Sequence, residues 1–256
     1  MMTMTDYKAE WLKEFDKLAR RTDFWQAFKD WCGLFAIEIS TRVDLTQPKD
    51  RLKEYATIAR RYDKDEKLSM AKMAALMVAE LDRRVTTEGY QDVLGEIFHE
   101  LDVQNKYKAQ FFTPNSLSEM MGRLAIGDDI KETLKHQPFI TMNDAACGSG
   151  STIYGGLNGV RHAGGNPCRD VLVVAGDVDE RCVYMCYIQL SLYGIPAIVM
   201  RQNALTLEEP DIWYTPVYVL DGWWWKNSKR HRENVKQVAD AADIQLNLFD
   251  TKEGEP

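Results

Sequence analysis

An apolar run, Pro138-Phe139-Ile140-Thr141-Met142, leads almost directly into Asp144-Ala145-Ala146-Cys147-Gly148-Ser149-Gly150, and a helix-forming stretch begins at Ser151. A strand that ends in a glycine-bearing turn and feeds a helix commits the chain to a β-α unit, because a parallel neighbour strand is reached only through a long crossover. Such a turn lets backbone N–H groups approach a ligand closely, and the acidic residue at its start can take a cationic or hydroxyl-bearing group. In outline this is a cofactor site.

Residues 105–220 repeat the pattern, with short β-branched runs alternating with helical stretches, as in a parallel sheet. The expected strands are Phe139 to Met142, Val171 to Ala175, Ala197 to Arg201 and Ile212 to Leu220. The expected helices are Ser116 to Leu124, Ser151 to His162 and Glu180 to Tyr193. Asp144 and Asp177 both fall at carboxyl ends of strands, where open α/β sheets hold their ligands.

From Asp6 to about Glu100 apolar residues recur at spacings of three and four: Trp11, Phe15, Leu18; Phe24, Trp25, Phe28, Trp31, Leu34, Phe35; Met70, Met73, Leu76, Met77, Leu81. That periodicity predicts three to five helices in a bundle-like region, interrupted at Thr86-Thr87-Glu88-Gly89-Tyr90. The expected division is a helical region over 1–103, an α/β domain over 104–222 and a tryptophan-rich, basic segment with a flexible tail over 223–256.

Five motifs in order resemble those of the N6-adenine DNA methyltransferases, especially the modification subunits of type I restriction systems. Asp144 to Gly150 is similar to the family's DPxCGSG turn, and Ala109-Gln110-Phe111-Phe112-Thr113-Pro114 to its GQFFTP element, which closes over the methionine part of S-adenosylmethionine. Val171 to Asp179 resembles the strand whose terminal acid binds ribose hydroxyls, with Asp177 in that place. Asn203 stands where the family has the residue that contacts the adenine ring. The resemblance thus implies a Rossmann-like fold, truncated, that binds S-adenosylmethionine through Phe112, Thr113, Asp144, Ala146, Cys147, Gly148, Gly150, Asp177 and Asn203. For Thr113 a plain helix cap before Pro114 is the competing reading.

The fifth motif departs from the family. Thr215-Pro216-Val217-Tyr218 occupies the place of Asn-Pro-Pro-Tyr, whose Asn and following carbonyl accept hydrogen bonds from the amino group of an extruded adenine while the aromatic ring stacks on it. Thr215, Pro216 and Tyr218 are the expected base pocket if the chain is catalytic; the lost Asn makes turnover weak or absent, since such a contact commonly contributes about 2.7–4 kcal/mol. The alternative is a non-catalytic module that acts through protein partners.

Two further segments offer partners. Trp223-Trp224-Trp225 beside Lys226, Lys229, Arg230, His231 and Arg232 would stack single-stranded or flipped bases, or else cover a sheet edge. Gln245-Leu246-Asn247-Leu248-Phe249 resembles the peptide by which bacterial proteins dock on the replicative sliding clamp, with Gln245, Leu246, Leu248 and Phe249 as its anchors; a terminal amphipathic turn is the rival. The residues after Leu220 are too few for the rest of a seven-stranded sheet and a target-recognition domain, so DNA recognition is expected to need another subunit.

Composition narrows the classes. With 45% hydrophobic and 28% charged residues among 256, the chain is ordinary globular protein. It carries no apolar run long enough for a membrane span and no secretion signal, so a cytoplasmic location is expected. Five cysteines without paired C-x-x-C spacing and four scattered histidines suggest neither a disulfide framework nor a metal site, and Cys182 and Cys186 read as one small apolar helix face. A net charge of -7 is unusual for a stand-alone nucleic-acid binder, so either the basic surface is local or another chain holds the DNA.

Overall fold

The computed structural model describes residues 6–20, 23–44, 48–104, 113, 115–203 and 210–230. Phe112, Pro114 and the whole segment 231–256, with Gln245, Leu246, Leu248 and Phe249, lie outside the described residues. Five helices come first: α1 (Tyr7–Ala19), α2 (Phe24–Thr41), α3 (Pro48–Ala59), α4 (Lys64–Thr87) and α5 (Val93–Gln104). The starts of α1, α2 and α4 follow from short acidic caps that satisfy otherwise unpaired first-turn N–H groups. The Asp6 carboxylate accepts from Ala9 N, the Asp23 carboxylate from Gln26 N, and Asp63 forms a reciprocal capping box with Glu66. The apolar stripes on these helices meet as an aromatic cluster, in which Trp11 stacks on Phe15 at 5.3 Å and meets Trp31 edge-on at 5.0 Å.

The α/β region runs α6 (Asn115–Ile126), α7 (Ile130–His136), β1 (Ile140–Asp144), α8 (Ser151–His162), α9 (Pro167–Asp170), β2 (Val171–Asp177), α10 (Glu180–Leu192), β3 (Ala197–Arg201), β4 (Asp211–Tyr214) and α11 (Pro216–Leu220). The sheet order is β1-β2-β3-β4. The first three strands are parallel, in a register that sets Asp144 opposite Ala175 and Asp177 opposite Arg201. The fourth is antiparallel, pairing Ile198 with Tyr214 and Arg201 with Asp211. The sheet is therefore mixed and mostly parallel.

The expected strand Ile212 to Leu220 is corrected here: it ends at Tyr214, and α11 follows. Pro216 has no N–H for a ladder and a φ already suited to the first turn of a helix, so the chain turns at Thr215 and the β-branched Val217 and Val219 pack as helix against the sheet.

Alternation along β2 separates the two faces of the sheet. Val171, Val173 and Ala175 face a large core that continues through Val183, Tyr184 and Tyr187 of α10 into Trp31, Phe28 and Trp11 of the helical region. Leu172, from the opposite face, joins a smaller cluster with Phe139, Tyr218 and Trp223. Buried side chains thus form one continuous core on both sides of residue 104. The β4 edge is covered from α3 by Arg51, whose guanidinium lies 3.8 Å from the Trp213 ring centroid and donates to Ser40 Oγ and the Ile212 carbonyl. No helix among the described residues is long and apolar enough to cross a membrane.

Candidate cofactor site

The turn after β1 needs two left-handed residues, and both are glycines: Gly148 at φ 55° and Gly150 at φ 103°. A Cβ on Gly150 would also meet the Tyr154 hydroxyl at 2.8 Å. The turn closes by hydrogen bonds from Gly150 N to Cys147 O and from Cys147 N to Gly176 O, both 2.9 Å, so it is sewn to the end of β2. Gly148 N donates to Asp177 Oδ2 at 2.9 Å, which joins the glycine turn to the acid on the neighbouring strand.

Asp177 Oδ1 accepts from Asp179 N at 2.8 Å, and Asp144 accepts from Ala146 N at 3.1 Å and from Thr152 Oγ1 at 2.5 Å. Each carboxylate oxygen thus accepts one hydrogen bond from the chain and keeps lone-pair capacity for a ligand O–H or N–H. Both acids are half-buried, with exposed Ala145 and Ala146 beside one and Val178, 66% exposed, beside the other. Two oriented carboxylates with spare acceptor capacity thus stand beside the exposed Ala145, Ala146 and Val178.

Other expected members gather at the same end. Ser151 Oγ at the start of α8 donates to Thr113 O at 2.7 Å, which brings the residue after Phe112 to the turn. Asn203 is exposed and follows β3, where Gln202 N donates to Asp177 O at 3.0 Å. Thr113, Asp144, Ala146, Cys147, Gly148, Gly150, Asp177 and Asn203 therefore share the carboxyl end of the parallel strands.

The expected base pocket does not join them. Because β4 runs antiparallel, Thr215 lies beside Ala197 at the amino end of β3, about 13 Å along the strand from Arg201. Thr215 is fully buried; its hydroxyl accepts from Ala197 N and donates to Ile195 O, both at 2.8 Å. Its Oγ1 ties β3 to the following turn and has no open face for a substrate. Tyr218 is buried too and stacks on Tyr214 at 5.1 Å, so its ring face already has a partner. Pro216 opens α11 at that same end.

A buried carboxylate that the sequence does not advertise supports the turn from behind. Asp92, 2% exposed, accepts from Ser149 Oγ within the turn, from Gln189 Nε2 of α10 at 3.0 Å and from Gly95 N at 2.9 Å. Burial pushes its pKa upward, opposed by those hydrogen bonds. The nearby thiols of Cys147 and Cys186 are also buried, and Cys186 is held well above the usual thiol range by its hydrogen bond with Cys147 and by burial.

No protein-family model and no curated protein matches the chain. Among solved structures it is distantly similar to the methyltransferase subunit of a type I restriction-modification system from Streptococcus thermophilus, at 16% identity and a TM-score of 0.40, covering 79% of this chain and 59% of that one. It is likewise similar to a protein described as a class I S-adenosylmethionine-dependent methyltransferase from Listeria monocytogenes, at 15% identity and a TM-score of 0.41, over 78% of this chain and 56% of that one. The chain spans less than two thirds of the length of either structure.

Proposed function

We propose that the protein binds S-adenosylmethionine at the carboxyl end of its parallel strands, as a DNA adenine-N6 methyltransferase-like protein whose own turnover is weak or absent. The observation that supports binding is the Gly148 N–H to Asp177 carboxylate bond, which holds the glycine turn and the second acid together as one cradle. In this reading Asp177 accepts from ribose hydroxyls and Asp144 takes a hydroxyl or cationic group. Gly148 and Gly150 leave the backbone bare for close approach, and Thr113 and Asn203 flank the ligand. The bound cofactor supplies an electrophilic methyl group on a sulfonium.

Low turnover follows from Thr215, Pro216 and Tyr218 standing at the far end of the sheet with the Thr215 hydroxyl already engaged. That placement also favours a second reading, a binding module completed by or docked on other proteins, with restriction-modification subunits or a sliding clamp held by Gln245, Leu246, Leu248 and Phe249 as candidates. Isothermal titration with S-adenosylmethionine is expected to show binding that Asp177→Ala weakens about tenfold or more, the scale of a charge-assisted hydrogen bond. Undetectable binding, or an unchanged Asp177→Ala variant, removes the cofactor reading. Methylation of adenine-containing DNA is expected near background, and Thr215→Asn is expected to lower thermal stability without raising the rate. Robust turnover by the parent overturns the weak-activity claim.

A further inference from the structure

The tryptophan run divides in the structure. Trp223 is 1% exposed and meets Phe139 edge-on at 5.1 Å, so the sheet-covering role belongs to it. Trp224 and Trp225 are 56% and 54% exposed, with rings inclined at 77° to each other. Residues 223–230 are helical, and Arg230 fastens this segment to the amino end of β1 by donating to Phe139 O at 3.0 Å, Thr141 Oγ1 at 3.1 Å and Gln137 Oε1 at 2.9 Å. Those three acceptors are neutral, so the bonds orient the guanidinium without cancelling its charge.

Between this helix and the strand starts lies a cavity of about 560 Å³ lined by Pro138, Phe139, Trp223, Lys226, Lys229 and Arg230, with Arg169 and Asp170 completing it. Among the described residues the lining holds four cations and one carboxylate, which sits 3.5 Å from Arg169. In a chain of net charge -7, such a concentration of positive charge is local and against the overall field. The volume falls within the roughly 300–1,000 Å³ of small-ligand pockets. Trp224 and Trp225 lie outside the cavity lining but on the same helix, so the cations suit phosphates and the exposed indoles suit the neighbouring bases of one strand, whereas an acidic peptide would use the cations alone. Bases buried in a duplex stack cannot reach tryptophan faces; those of a single strand can.

We infer that this amino-terminal edge of the sheet binds single-stranded nucleic acid, phosphates on Lys226, Lys229 and Arg169 and bases on Trp224 and Trp225. The site lies at the opposite end of β2 from Asp177, about 20 Å away along the strand, and does not depend on the cofactor reading.

Fluorescence anisotropy of a labelled oligothymidylate of about 12 nucleotides tests it, at about 50 and 200 mM salt, without cofactor. The parent is expected to bind at low salt and weaken steeply at high salt. Lys226→Glu with Lys229→Glu is expected to weaken binding at least tenfold and flatten the salt dependence. Trp224→Ala with Trp225→Ala is expected to weaken it on the order of tenfold with the salt dependence retained, and Trp224→Phe with Trp225→Phe to keep most of the affinity. Reversal of the distant, exposed Lys13 and Lys53 to Glu, and Asp177→Ala, are expected to change little. Thermal melts confirm that each variant is folded. No binding by the parent at low salt, equal loss in the distant reversal, no loss in the tryptophan-to-alanine variant, or equal competition by a duplex of the same length would each overturn the assignment.

Discussion

Thr215 and Asp92 show how far a residue's type falls short of its role. Thr215 matches a motif position, yet its environment makes it a brace: two hydrogen bonds in a dry setting, each worth about 0.5–1.5 kcal/mol net, hold the start of β3 to the turn after β4. Asp92 matches no motif because two of its three donors are 57 and 97 residues away, and only the folded chain brings them to it. Three donors converge on its carboxylate, so Asp92→Ala is expected to lower stability by about 3 kcal/mol or more in chemical denaturation, while Asp92→Asn, which keeps an acceptor, costs less. The pH dependence has a definite sign. The folded pKa of Asp92 is raised by burial, so the native state holds the proton more tightly than the unfolded chain does. Its contribution to stability therefore falls as pH rises from the ordinary carboxylate range through the folded pKa. Asp92→Asn is expected to lose that slope, and an identical slope in parent and variant would refute the assignment.

At the scale of elements, periodicity made most helices and strands legible. Ala197 to Arg201 and Ser151 to His162 agree with the observed bounds, since each is a clean run between turn formers. The direction of β4 was not legible: nothing local in Asp211 to Tyr214 says which way its strand runs, and that direction moves Thr215, Pro216 and Tyr218 to the other end of the sheet. The packing of α6 on α8 was equally silent. A Cβ on Gly155 would lie 2.1 Å from Ser118 O, and one on Gly122 would lie 2.1 Å from Gly155 O, so the two backbones touch. This contact, with the Ser118 to Ser151 hydroxyl bond at 3.0 Å, seats α6 against the helix that follows the glycine turn. Gly155→Ala gains about 1 kcal/mol of helix propensity but must push the touching backbones apart, and overpacking of this kind typically costs about 1–3 kcal/mol. A net fall in melting temperature is expected, together with weaker cofactor binding if the proposed function holds, because Thr113 shifts with α6. A melting temperature equal to or above the parent's would show that the helices separate freely.

For the whole molecule, the composition and the helical period of residues 6–100 foretold a bundle, but its attachment to the α/β region is tertiary. Val183, Tyr184 and Tyr187 of α10 lie in the same core as Trp31 and Phe28, and Tyr184 Oη donates to Glu54 of α3 at 3.0 Å. Removing residues 1–103 would expose that side of α10, and burial of each such side chain is worth about 1.5–3 kcal/mol. A fragment spanning 104–256 is expected to lack dispersed amide resonances or to aggregate, and a well-dispersed, cooperatively melting fragment would show an independent α/β unit. The Asp92 contact carries a consequence of its own. The hydroxyl that shapes the glycine corner answers to a carboxylate rooted just ahead of α5, so a disturbance of the helical region reaches that corner through a buried polar contact as well as through the shared core. Under the proposed function, filling that corner and tightening the helical region would be two readings of a single thermodynamic dial.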